Sequence, residues 1–172
     1  MIKRKVQVLV ATMNQMSHRE LLSSMNITGS AVVINQVTDS RKKLRDLEHR
    51  KSGVIFASFF EKGLSRSRNR ALAASSADIC VVADDDLRYI DGYEDVIRSG
   101  YTKYPDADII AFEVDYSNEK KNKKSLKEGR VGLLYSMKIS SVRISFRRES
   151  VIDAGVQFDE NFGAGTDNFM GE

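Results

Sequence analysis

The chain has one cysteine, one proline and no apolar run longer than the five residues Ile79 to Ala83. A bilayer crossing needs about 18 to 20 apolar residues, so no transmembrane helix is expected. A lone cysteine, Cys80, excludes an intrachain disulfide. Because it sits inside that apolar run, a buried thiol in a reducing compartment follows, with the cytoplasm as the expected location. The basic opening Met1 to Lys5 is like that of a signal peptide. The apolar stretch after it is interrupted by Gln7 and reaches Asn14 without a small-residue cleavage site, so it reads as a first strand. Also missing are G-x-S-x-G, a Walker loop and G-x-G-x-x-G. Their absence argues against an α/β-hydrolase, a P-loop nucleotidase and a dinucleotide oxidoreductase.

What remains is ordinary globular material: 172 residues, 41% hydrophobic and 30% charged. One domain spanning 1–172 is expected, and a chain of this size buries roughly 70% of its unfolded surface. The net charge of +3 is local: Asn118 to Arg130 carries six basic and two acidic residues, leaving −1 for the remainder. No aromatic interrupts that run, as nucleic-acid binding would favour, so no nucleic-acid partner is expected and a solvated loop is the simpler reading.

Short β-branched runs at Val6–Ala11, Ala31–Ile34, Val54–Ala57, Ile79–Ala83 and Ile109–Val114 read as buried strands. Between them Ser17–Met25, Ser40–Lys51, Leu64–Ala74 and Tyr93–Tyr104 read as helices. Alternation of this kind predicts an α/β fold: a mostly parallel central sheet, helices on both faces, and a ligand site at the carboxyl ends of the strands. After a polar excursion over Asp115–Arg130, a half-buried strand at Val142–Phe146 and a short helix over Arg148–Ala154 are expected. Phe162 to Gly165 reads as a flexible loop, and the stop at Glu172 reads as a cut.

Asp84-Asp85-Asp86 directly follows the strand Ile79–Ala83. In extended chain Asp84 and Asp86 would share a face. Three adjacent carboxylates repel one another, and a hard cation such as Mg²⁺ or Mn²⁺ relieves them while leaving positions for phosphates. A turn or helix-cap cluster is the structural alternative. Within Gly63–Leu72, Arg68 falls on the stripe of Leu64 and Leu72, so its guanidinium needs Asp84 or a phosphate as partner. Arg66 and Arg70 fall on other faces and read as solvated. Thr12 to Asn14 and Asn35-Gln36 close the first two strands, where amides can contact a base or ribose, or form turns. His18 and His49 lie among charged residues without a ligand-spaced partner and read as surface residues of helices.

Taken in order, Val8–Asn14, Gly63-Leu64-Ser65-Arg66-Ser67-Arg68-Asn69, Asp84–Asp86 and Phe158–Gly163 leading to Gly171-Glu172 resemble the family 2 inverting glycosyltransferases of GT-A fold, especially bacterial polysaccharide-building members. The resemblance covers almost the whole chain. It implies a nucleotide-diphosphate sugar donor, a UDP-sugar being favoured, with the Asp cluster as the family's D-x-D motif. Asp84 and Asp85 would face the nucleotide together with Thr12, Asn14, Gln36 and Arg68, and Asp86 would hold Mn²⁺ or Mg²⁺. A saccharide or lipid-linked acceptor would attack with inversion, helped by a carboxylate base. Glu172, or the residue that would follow it, takes that role, and the acceptor-side part beyond it is missing. Asn35-Gln36 replaces the acidic residues that the family often carries after its second strand, with Asp39 a few residues on. Two other functions compete. One is a binding module that uses Asn118–Arg130 on a polyanion or membrane surface; the other is a nucleotidyltransferase, which would need a glycine-rich loop where Thr12–Gln15 stands. An enzyme whose basic loop lies near the inner membrane leaflet combines the first with the leading reading.

Overall fold

A computed structural model describes residues 3–38, 48–115 and 128–165. Asp39, most of Asn118–Arg130 and Glu172 therefore lie outside the described residues. Among the described residues the elements run β1 (Val6–Met13), α1 (His18–Ser24), β2 (Ser30–Gln36), β3 (Glu48–Lys51), β4 (Val54–Phe59), α2 (Leu64–Ala74) and β5 (Ile79–Asp84). They continue with α3 (Tyr93–Lys103), β6 (Ile109–Ala111), α4 (Leu133–Ser136), a 3-10 turn (Ser141–Arg143), β7 (Ile144–Arg147) and α5 (Arg148–Asp153).

One seven-stranded sheet results, in the order β3-β4-β2-β1-β5-β7-β6. The central β4, β2, β1 and β5 are parallel, whereas β3 and β7 run against their neighbours. Strands buried on both faces read as continuous apolar runs, which is why β1, β2 and β5 stand out in the sequence. Alternation along β1 sends Val6, Val8 and Val10 to a core with Leu21, Leu22 and Met25 of α1 and Tyr93, Ile97 and Tyr101 of α3. On the other face Leu9 joins Val32, Ile34, Val82 and Phe146 beneath Ala71 and Leu72 of α2. Helices cover both faces, and the α/β fold read from the sequence is the one observed.

Three local expectations fail. Helix was expected through Lys51, yet Glu48–Lys51 is a strand antiparallel to β4. Its charged residues sit on a sheet edge, where pairing with β4 and the tight turn at Ser52 and Gly53, both with positive φ, outweigh helical propensity. The strand expected over Ile109–Val114 stops at Ala111, after which Phe112 instead exchanges two hydrogen bonds with Arg143. His18 is buried rather than exposed, and His49 lies on β3 rather than on a helix. The two rings stack with centroids 4.2 Å apart, and His18 also packs on Phe56.

Candidate functional site

Successive strands leave β1 in opposite directions: β2 and β4 lie to one side, β5 and β7 to the other. The crevice between the carboxyl ends of β1 and β5 is thus the switch point at which open α/β sheets bind ligands. Register places Ala11 opposite Asp84 there. One residue on, the Thr12 hydroxyl donates to Asp85 Oδ2 at 2.5 Å, bridging the crevice.

β5 ends at Asp84, and Asp85-Asp86 form a turn closed by the Leu87 amide on the Asp84 carbonyl at 3.3 Å. The strand alternation expected to bring Asp84 and Asp86 to one face therefore does not reach Asp86. The three carboxylates have separate surroundings instead. Asp84 accepts from Arg68 Nη2 at 2.9 Å, the ion pair that the helical spacing anticipates. Asp85 is held by Thr12. Asp86 is exposed and forms no hydrogen bond or ion pair with the described residues.

Arg68 is 6% exposed, its Nε finds no partner, and its guanidinium lies 5.7 Å from the centroid of the Phe158 ring. Beside this corner the Tyr89 hydroxyl is also buried without a partner. Burial pushes its phenol well above the usual range, and the neighbouring Tyr93 and Asp84 add to the rise.

At the other strand ends the amides are taken up by the fold. Asn14, at φ 56°, exchanges hydrogen bonds with Thr38 through its side chain and donates its backbone amide to the Gln36 carbonyl at 2.8 Å. Asn35 is fully buried, bonded to both backbone groups of Gln15 and to Ser58. Gln36 is buried as well; its Oε1 accepts from the Gly63 amide at 2.8 Å, tying β2 to the start of α2. Exposed apolar residues that sequence reading missed, Met13, Met16 and Phe60, rim the same edge. On a sequence nothing in their periodicity sets them apart from the strand ends and turns they occupy.

The structure also joins two segments that the sequence holds far apart. The Asn69 side chain donates to the Phe158 carbonyl and accepts from the Phe158 amide at 2.9 and 2.8 Å. Glu160 receives Asn69 Nδ2 and Arg66 Nε, both at 3.2 Å, and these bonds hold its carboxyl below the usual range. Ser65 Oγ donates to the Phe162 carbonyl, and the Leu64 amide donates to Ala164. Through Gly165 the loop expected to be flexible is clamped along α2. Gly165, at φ +89°, lies so close to Gly63 that an added Cβ would sit 3.2 Å from the Gly63 nitrogen. Arg66 and Arg70, expected to be solvated, are half-exposed but paired, Arg70 with Glu61 at 2.6 Å.

No group of three or more metal-ligating side chains converges among the described residues. A hard cation shared with a diphosphate does not need one, since it commonly takes one or two protein carboxylates plus phosphate and water oxygens. Asp86, with both oxygens unused by the described residues and set beside the crevice, fits that role. What the described residues offer here is one uncommitted carboxylate, Asp86, beside a crevice backed by the Arg68–Asp84 pair.

No protein-family model and no curated protein matches the chain. Solved structures do. S. aureus TarS 1–349 superposes with a TM-score of 0.66 at 15% identity, over 94% of this chain and 52% of that one. Its complexes with UDP (TM-score 0.67, 16% identity, 94% and 52% covered) and UDP-GlcNAc (0.66, 15%, 95% and 51%) match equally. The chain spans about half the length of TarS 1–349, and at such identity the likeness establishes the α/β fold, with function left to the site.

Proposed function

We propose that this chain is the nucleotide-sugar domain of a metal-dependent, inverting family 2 glycosyltransferase of GT-A fold. It moves a sugar from a nucleotide-diphosphate donor to a saccharide or lipid-linked acceptor in cell-surface polysaccharide synthesis. The observation that carries this reading is the switch-point crevice spanned by Thr12 and Asp85 with the uncommitted carboxylate of Asp86 beside it. A UDP-sugar is favoured as donor, in keeping with the UDP and UDP-GlcNAc complexes of the structural neighbour.

Each residue has a part in this reading. Thr12 and Asp85 form the floor under the nucleotide, and Asn14 and Gln36 shape its base-side wall through the bonds that join β1, β2 and α2. Arg68 fixes Asp84 and adds positive potential behind the diphosphate. Asp86 takes the Mn²⁺ or Mg²⁺, which when bound offsets the negative charge that grows on the departing diphosphate. Glu172 supplies the base that accepts the acceptor hydroxyl's proton.

Thermal unfolding with UDP, GDP, CDP and TDP, each with and without Mn²⁺, tests the donor site. A ligand at 100 times its Kd stabilises by about 2.7 kcal/mol. The expected result is a Mn²⁺-dependent shift with UDP that Asp86→Ala removes. No shift with any nucleotide, or a shift that survives both Asp84→Ala and Asp86→Ala, sinks the proposal.

A further inference from the structure

Between β6 and β7 the chain leaves the sheet and returns to it. Because β6 pairs with β7 through Ala111 and Ile144, and β7 runs against β5, both points lie at the carboxyl edge, the edge that bears Asp84–Asp86. The returning limb carries the barest apolar residues of the described chain: Leu133 and Leu134 are each 82% exposed and Met137 80%, with Val131 beside them at 44%. They occupy the one-turn helix α4 and its flanks, and they join neither hydrophobic core. Contiguous exposed apolar side chains of this kind mark an interaction surface.

Charge identifies the occupant. Arg130 and Lys138 flank the apolar residues, both exposed and without an ion pair to the described residues. The sequence leading into them from Asn118 carries a net +4, whereas the rest of the chain is slightly acidic. The core of a protein-protein interface is depleted in lysine. Protruding leucines flanked by an arginine and a lysine instead supply the two signals that peripheral attachment to a bilayer requires: apolar side chains for the acyl boundary and cations for anionic headgroups.

We infer that Val131–Lys138 docks onto an anionic lipid bilayer. This rests on the exposed segment and its charge, and it holds whether or not the donor reading does. Cosedimentation with phosphatidylcholine vesicles, with and without phosphatidylglycerol and in the absence of nucleotide, tests it directly. Wild type should bind the anionic vesicles, bind neutral ones weakly, and lose affinity as salt rises. Leu133→Ser combined with Leu134→Ser, which adds no charge, should weaken anionic binding at least about tenfold while thermal unfolding is unchanged, since neither side chain is packed. Equal binding by wild type and the double variant would assign the attraction to charge alone and overturn the inference. So would absence of wild-type binding, or a dimer in sedimentation velocity that the double variant dissolves, which would make a second copy the occupant.

Discussion

Arg68 and Asp86 sit at the same corner of the molecule and answer different questions about it. Arg68 is buried and committed to Asp84, whose side chain is 30% exposed. Breaking a fully buried pair costs about 3 to 5 kcal/mol, but partial solvation of Asp84 screens part of that. Arg68→Met should therefore destabilise by about 2 kcal/mol, read by urea unfolding, and Arg68→Met in an Asp84→Asn background should cost less. Asp86 forms no hydrogen bond or ion pair with the described residues, so Asp86→Ala should leave stability within about 0.5 kcal/mol and act only on ligand binding. A large loss of stability in Asp86→Ala would show that its carboxylate belongs to the fold. Of these roles, the need of Arg68 for a partner was legible in its spacing on α2. The separate fates of three adjacent aspartates were not, because they depend on the chain turning at Asp85.

The element that matters most to the site is α2, which faces the core with Ala71 and Leu72 and grips Phe158–Ala164 with its first two turns. Asn69→Ala removes three hydrogen bonds to that loop, and leaving the Phe158 backbone groups unpaired should cost about 1 to 3 kcal/mol. Hydrogen exchange at the Phe158 amide should rise in the variant while exchange in β1 follows only the global change. Glu160 adds a pH dependence of known sign. Asn69 and Arg66 hold its folded-state pKa below the ordinary value of 4.5, so its contribution to loop docking is complete above that pH. It is lost as pH falls through the depressed folded value. The protection factor of the loop, its exchange corrected for the intrinsic rate at each pH, should therefore fall between pH 6 and pH 3, and Glu160→Gln should flatten the change. The elements themselves were mostly visible: α2 spans Leu64–Ala74 as its periodicity predicts. The edge strand β3 was invisible because three charged residues and a histidine carry no hydrophobic alternation, and only the neighbouring β4 makes them a strand.

At the scale of the molecule, two hydrophobic layers share one sheet, and β1 contributes to both. A sheet whose central strand feeds both layers should unfold as a unit. Cys80 reports on this: it is fully buried, and burial pushes its thiol above the usual range, so reaction with a thiol reagent needs opening of the sheet. Labelling under native conditions should follow the global unfolding equilibrium measured with urea. Labelling much faster than that would reveal a separate opening between β5 and β7, the one antiparallel seam beside the cysteine.

By itself the sequence determined the α/β alternation, the two apolar faces and the placement of Asp84–Asp86 at a strand's carboxyl end. These follow from local periodicity and from where an apolar run meets polar residues. Tertiary structure alone decided that Thr12 meets Asp85, that Gln36 serves Gly63, that His18 stacks on His49, and that Phe158–Gly165 lies clamped along α2. Each of those contacts joins residues at least 27 positions apart, so hydrophobic periodicity carries no trace of them. They exist because sheet order and register bring polar side chains together where little water reaches, and there a polar group without a partner is costly.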